Sequence, residues 1–158
     1  MTSFSIVQWL SSTALSQFIQ STYGAIAGLQ VVHLVSLSVL FACALLLGLR
    51  VVGRGLIDET APVLAGKLLP AIWISLVLLA ITGALLIVAE PFRTITNRIF
   101  YLKMALLVAA VVLTIALSAI ARRPPDHPVA AGVRISVAAS SMLVWIAIMF
   151  AGRFIAYT

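Results

Sequence analysis

Charged residues are scarce in this chain. Asp, Glu, Lys and Arg make up only 9% of its 158 residues, whereas hydrophobic residues make up 63%. Soluble globular proteins carry roughly 25% charged residues, and a domain of this length has too little interior to hide so much apolar surface. The composition therefore excludes a disordered tail and a secreted enzyme, and it predicts an integral membrane protein.

Acidic residues and cysteine are few. Four Asp and Glu stand against ten Lys and Arg, giving a net charge of +6. In a membrane protein such a basic excess is typical of cytoplasmic loops, so we expect no nucleic-acid partner. The single cysteine, Cys43, excludes an internal disulfide.

Recognised catalytic motifs are also missing. The sequence contains no HExxH, CxxC, GxSxG, P-loop or GxGxxG pattern. Two histidines and one cysteine at scattered positions do not form a zinc or copper site within one chain. Hydrolytic chemistry is therefore not expected.

Hydropathy divides the chain into four apolar segments of about the ~20 residues that a membrane-spanning helix needs. The predicted spans are 24–49, 68–89, 99–121 and 133–156, and all six prolines, Pro62 and Pro70 included, are assigned to loops or helix ends. The sequence thus predicts one all-α domain over residues 24–158, an antiparallel bundle of four transmembrane helices.

Residues 1–23 precede the first span. Met1–Leu10 has no Lys or Arg, so the positively charged start of a cleavable signal peptide is missing. Apolar residues recur there at roughly helical spacing among Ser, Thr and Gln, which predicts a short amphipathic helix at the membrane interface with Trp9 as an anchor. The alternative is an unstructured polar segment.

The basic residues indicate an orientation. Six of the ten lie on one side of the predicted bundle (Arg50, Arg54, Lys67, Arg122, Arg123 and Arg134), and four lie on the other (Arg93, Arg98, Lys103 and Arg153). By the positive-inside rule we expect both termini in the periplasm of a bacterial inner membrane.

Polar residues within or beside the spans collect on the side opposite the six basic residues. His33 lies roughly 13 Å along the first span at ~1.5 Å per residue. Intramembrane ionisable residues are costly and mark functional sites by default. The polar face predicted here comprises Gln30, His33, Glu90, Arg93, Arg98, Lys103, Arg153 and Tyr157.

A neutral imidazole is a strong ligand for haem iron, and bundles build such sites from inward-facing side chains. Met149 and Met104 are candidate second ligands, as is a His33 pair across a dimer axis, whereas His127 falls at the wrong end. The cations of Arg93, Arg98, Lys103 and Arg153 would then hold an anionic group, such as the haem propionates.

The alternatives to a haem ligand are a quinone or proton-handling site, or a histidine that only hydrogen-bonds to Gln30, a carbonyl or a neighbouring helix. The methionines are equally interpreted as packing, and the arginines as lipid headgroup contacts.

Several segments resemble an uncharacterised bacterial inner-membrane family of four helices, DUF6644. They are Gln30-Val-Val-His33, Leu49-Arg50-Val-Val-Gly53, Ile81-Thr-Gly83, Glu90-Pro91, Asn97-x-x-Phe100-x-x-Lys103-Met104, Leu143-Val-Trp145 and Gly152-Arg153. The resemblance covers nearly the whole chain after Ser21 and implies a fold and a compartment, but no reaction. A weaker likeness to small haem-b membrane proteins and to the membrane domains of copper-resistance proteins rests on His33 alone.

Three functional hypotheses follow. The first is a haem-b or quinone-linked electron-transfer subunit centred on His33. The second is an accessory subunit of a larger membrane complex without its own chemistry, and the third is a carrier of a small solute or metal ion. In each case we expect an oligomer or a complex, because small residues at Gly24, Gly28, Ser136 and Ser140 provide seams for close helix contact.

Overall fold

The structure, a computed structural model, describes residues 3–54, 58–124 and 129–154. Within these residues the chain forms four long helices preceded by two short ones, with one more short helix between the second and third long helices. The elements are α1 (Ser3–Ser11), α2 (Ala14–Ser21), α3 (Ala25–Val52), α4 (Ala61–Ala89), α5 (Pro91–Ile95), α6 (Arg98–Ala121) and α7 (Ala131–Phe154).

The four long helices are each long and apolar enough to cross a membrane. They form the predicted all-α bundle: α3 packs on α4 and α7, and α6 packs on α7 and α4. The core is apolar, and its largest fully buried side chains include Trp145, Leu40, Leu47 and Ile72. Many large apolar side chains, such as Val108, Leu143 and Phe150, are nevertheless exposed on the outside of the bundle. A surface of this kind requires lipid rather than water.

Local sequence explains where the helices begin and end. Gly24 and Gly53 flank α3 with left-handed φ values of 77° and 86°, a conformation that glycine adopts without a steric penalty. The side chain of Asn97 caps α6, because its Oδ1 accepts a hydrogen bond from the Ile99 amide at 2.8 Å.

The start of α4 differs from the prediction. The helix begins at Ala61, seven residues before the predicted span, with Pro62 in its first turn. The prediction that every proline lies in a loop or at a helix end is therefore wrong for Pro70, which lies inside α4. A proline has no N–H to give to the carbonyl four residues earlier, here that of Gly66. Membrane helices tolerate this loss where other groups or water satisfy the carbonyl, and both residues are exposed.

The N-terminal segment forms two helices where one was predicted. The chain breaks at Thr13, whose hydroxyl accepts a hydrogen bond from the Ser16 amide at 3.3 Å and so caps α2. Trp9 is exposed, while Val7, Ser16 and Ile19 are buried. The segment is thus amphipathic as expected, and its buried side packs on the bundle through α3, α4 and α5.

Candidate functional site

His33 lies eight residues after the first residue of α3, and Thr82 lies seven residues before the last residue of α4. Because the two helices are antiparallel, these residues lie at similar depth, about 10–12 Å from the same end of the bundle at ~1.5 Å per residue. The His33 Nδ1 is 2.8 Å from the Thr82 Oγ1. We call this end of the bundle the His33 end.

The hydrogen bonds around Thr82 indicate which nitrogen of His33 carries the proton. The Thr82 hydroxyl donates its only hydrogen to the Leu78 carbonyl at 2.6 Å, so its oxygen can only accept from His33. In the neutral imidazole the proton is then on Nδ1, and the lone pair is on Nε2. This is the arrangement in which a histidine binds a metal through Nε2 while a second residue fixes the ring through Nδ1.

The imidazole of His33 packs against Gly83. A Cβ at this position would lie 3.5 Å from the His33 Cε1, an ordinary van der Waals contact distance, so an alanine would also fit there. Helix α4 therefore contributes both the hydrogen-bond acceptor, Thr82, and the glycine against which the ring packs.

Lys103 of α6 lies at the same end. Its side chain is half-buried and passes over Gly152 of α7, where a Cβ would lie 3.5 Å from its Nζ. The ammonium is within electrostatic range of the His33 imidazole. Helices α3, α4 and α6 thus contribute His33, Thr82 and Lys103 to this site, and α7 contributes Gly152, which lies against the Lys103 side chain.

These groups form a basic, polar site near the His33 end of an apolar bundle. The Nε2 of His33 offers a lone pair, and the ammonium of Lys103 offers three N–H donors. Among the described residues, no three His, Cys, Asp or Glu side chains are grouped closely enough to hold a metal ion. The arrangement is suited to a ligand that supplies oxygen atoms or an iron centre of its own.

The remaining predicted cofactor residues are placed less centrally. Gln30 is exposed on α3, and the hydrogen bond of His33 goes to α4 instead. Met104 and Met149 are both half-buried on α6 and α7. Their role as second haem ligands stays a prediction.

The three arginines of the predicted cation cluster are exposed. Arg93 of α5 forms an ion pair with Glu90, with 3.2 Å between Nη1 and Oε2. Arg98 is the first residue of α6, and Arg153 lies in the last turn of α7. Of the four cations, Lys103 is the one that reaches into the bundle. Tyr157 and His127, which the sequence placed at opposite ends, lie outside the described residues.

Sequence reasoning missed Thr82, Gly83 and Gly152 as partners of the site. The signal was available in the segment Ile81-Thr-Gly83. In this segment a hydroxyl residue is followed by a glycine, at the depth of His33 on the neighbouring antiparallel helix. That pattern would have indicated the hydrogen-bond partner of the histidine.

The chain was compared with known proteins. No curated protein and no solved structure matches it. A family model described as "Family of unknown function (DUF6644)" matches residues 6–158. That match includes the four long helices and the residues that surround His33, and the chain therefore belongs to the DUF6644 family.

Proposed function

We propose that this protein is the membrane-embedded subunit of an electron-transfer system, and that His33 holds a lipid-soluble redox cofactor, haem b or a quinone. The observation that carries the proposal is the hydrogen bond from His33 Nδ1 to Thr82. It orients the imidazole and leaves the lone pair on Nε2 for a ligand. The proposed location is a bacterial inner membrane, with both termini in the periplasm.

Haem b fits the donor set around His33. Haem iron takes a neutral imidazole as an axial ligand, and Nε2 is the nitrogen that remains for it. Lys103 would act as the cation opposite a propionate carboxylate. Met149, Met104 or His33 of a second copy would provide a further ligand to the iron. When bound, the haem would supply one-electron chemistry, while Thr82 holds the ring of its ligand.

A quinone fits the same two groups in a different way. Lys103 would donate a hydrogen bond to a quinone carbonyl oxygen, and His33 Nε2 would accept the proton of a quinol hydroxyl. Either candidate would give a partner to the half-buried ammonium of Lys103, which has no ion-pair partner among the described residues. Both candidates would reach the site from the lipid.

The proposal includes assembly with a second copy or a larger membrane complex. Gly28 is exposed on α3 with nothing within 4 Å of a Cβ at its position, and Ser136 and Ser140 are exposed on α7. Small residues on a lipid-facing surface allow another helix to approach closely.

The test is an absorption spectrum of the detergent-purified protein, with extraction and identification of any bound quinone. We expect a haem Soret band or a stoichiometric quinone, lost in His33→Ala. Thr82→Val removes the acceptor at nearly constant volume, so cofactor affinity should fall roughly tenfold, as for other residues that orient a metal ligand. Thr82→Ser should restore it. Ser38→Ala is the matched control, since its exposed hydroxyl bonds only to Leu34 of the same helix.

Two results would contradict the proposal. One is that neither haem nor quinone copurifies or binds on reconstitution. The other is that His33→Ala and Thr82→Val lower the free energy of unfolding equally without changing any spectrum. The hydrogen bond would then serve only to join α3 to α4, and the protein would be an accessory subunit. Solute uptake into liposomes containing only this chain would instead identify a carrier.

A further inference from the structure

A second polar region lies at the end of the bundle opposite to the His33 end. There the last turns of α3 and α6 meet the first turns of α4 and α7 around a cavity of about 340 Å³, within the roughly 300–1,000 Å³ of typical small-molecule sites. Its lining includes the side chains of Arg50, Arg123 and Arg134, together with Val51, Thr60 and Pro62. We call it the arginine cavity.

The Arg134 side chain is held in place by a hydrogen bond, but not all of its N–H donors have a partner. Its Nη1 donates a hydrogen bond to the Val51 carbonyl at 3.3 Å, which joins the start of α7 to the end of α3. Its Nε is shielded from solvent and has no hydrogen-bond partner. A guanidinium carries five N–H donors in a fixed plane, so most of its hydrogen-bonding capacity remains for a ligand.

The positive charge of the cavity has little to offset it among the described residues. Two carboxylates, Asp58 and Glu59, precede α4, but neither lines the cavity, and Glu59 forms an ion pair with Lys67. The carbonyls of Leu49 and Arg50 at the end of α3 already accept the Arg54 and Gly53 amides, at 2.9 and 3.0 Å.

Helix termini of both kinds meet at the cavity, because α3 and α6 end where α4 and α7 begin, so their partial charges largely offset one another and the net positive charge comes from the three arginines. A helix N-terminus also carries amides without intrahelical partners. At α4 no side chain caps these amides.

We propose that the arginine cavity binds a phosphate group, carried either by the head group of an anionic phospholipid or by a small soluble phosphate compound. Arginine recognises phosphate oxygens with paired hydrogen bonds, and basic pockets between transmembrane helices are suited to lipid head groups. This site is separate from His33 in position and in the chemistry of its ligand, so it does not depend on the proposed redox function.

The experiment measures lipid binding to the 158-residue chain by native mass spectrometry, using phosphatidylglycerol and phosphatidylcholine with the same acyl chains. Both lipids carry a phosphate, but the choline cation balances its charge in phosphatidylcholine, so the comparison tests recognition of an anionic phosphate. We expect phosphatidylglycerol to bind more tightly, and Arg50→Gln or Arg123→Gln to weaken it roughly fivefold, the effect of one basic residue near an anionic surface. Arg54→Gln and Arg122→Gln remove the same charge from neighbouring exposed positions outside the cavity, and they should change affinity less than about twofold. Arg134→Gln is avoided, because it also removes the bond to Val51.

A second arm identifies the source of the phosphate. If millimolar inorganic phosphate displaces the lipid, the site accepts soluble phosphate compounds; if it does not, the head group is the ligand. Both results support the proposal. It is overturned if the control variants match the cavity variants, or if the two lipids bind equally. It is also overturned if binding appears only in Asp126→Asn, since the carboxylate of Asp126, which lies outside the described residues, would then occupy the site.

Discussion

Trp145 is the largest fully buried side chain in the bundle, and its polar atom has no partner. Both Trp145 and Ser141, one helical turn earlier on α7, are 0% exposed. The indole Nε1 and the Ser141 Oγ form no hydrogen bond. Buried polar groups are normally satisfied, so these two atoms contribute packing volume while their polarity costs stability.

We therefore expect Trp145→Phe to lower the free energy of unfolding by less than about 1.5 kcal/mol, because it removes an unsatisfied donor while keeping most of the aromatic volume. Trp145→Ala should cost about 3–5 kcal/mol, because it leaves a large cavity. Unfolding by SDS titration in mixed micelles measures both values. Ser141→Ala is the matched control and should be neutral or stabilising. If Trp145→Phe proved as costly as Trp145→Ala, the indole N–H would have a partner such as a bound ligand.

Most other buried hydroxyls bond within their own helix. Thr114 and Ser118 of α6 donate to carbonyls four residues earlier, at 2.7 and 2.6 Å, and Ser36 of α3 does the same at 2.8 Å. Thr82 also donates within its helix, but it accepts from His33 as well. That second bond distinguishes a residue of the candidate site from a hydroxyl that is merely tolerated in a membrane helix.

Helices α1 and α2 are held to the bundle by a polar contact as well as by apolar packing. The Gln20 amide donates to the Ala89 carbonyl at the end of α4 at 2.8 Å and to the Ser16 hydroxyl at 3.0 Å. Ile19 on the same helix is buried. The N-terminal segment thus covers the His33 end where α4 turns into α5.

Replacing Gln20 with Ala should release α2 from α4, because the bond to the Ala89 carbonyl is lost and about 1 kcal/mol of stabilisation goes with it. Hydrogen exchange followed by mass spectrometry should show faster exchange over α1 and α2, with α7 unchanged. Gln17→Ala is the control, since the exposed Gln17 side chain lies on the same helix and has no contact with Ala89. Equal exchange in both variants would show that apolar packing alone holds the segment.

For the whole molecule, the two ends of the bundle carry different chemistry. The His33 end combines an imidazole with the half-buried Lys103, and the opposite end holds the arginine cavity. By the positive-inside rule we predict that the arginine cavity lies in the cytoplasmic leaflet, where anionic lipids concentrate. The predicted orientation therefore determines which side of the membrane each of the two sites faces.

Cysteine labelling tests the orientation. With the native Cys43 changed to Ala, single cysteines replace Ser12 and Asp58, two exposed residues at opposite ends of the bundle. A membrane-impermeant maleimide should label Ser12→Cys in cells with a permeabilised outer membrane, and Asp58→Cys only after the inner membrane is opened. The reverse pattern would place the His33 end in the cytoplasm.

Composition and hydropathy were sufficient to predict the bundle of four membrane-spanning helices. In lipid every backbone polar group must bond within its own segment, so apolar runs of this length form helices that span the membrane. The family resemblance was likewise visible in the residues, and His33 was conspicuous as an ionisable group in such a run, although its function stays a prediction. The start of α4 was not predicted, because Pro62, Gly66 and Lys67 interrupt the apolar run before Leu68, and Pro70 was therefore assigned to a helix end.

Contacts between helices follow from packing, which a linear pattern does not contain. The hydropathy of α4 marks it as a span, but it does not say that Thr82 faces His33 or that the ring packs against Gly83. Likewise, the sequence placed Arg50, Arg123 and Arg134 on one side of the bundle, but only the meeting of four helix ends arranges them around one cavity. Solvation by lipid selects helices, whereas the complementary shapes of their side chains select which residues meet.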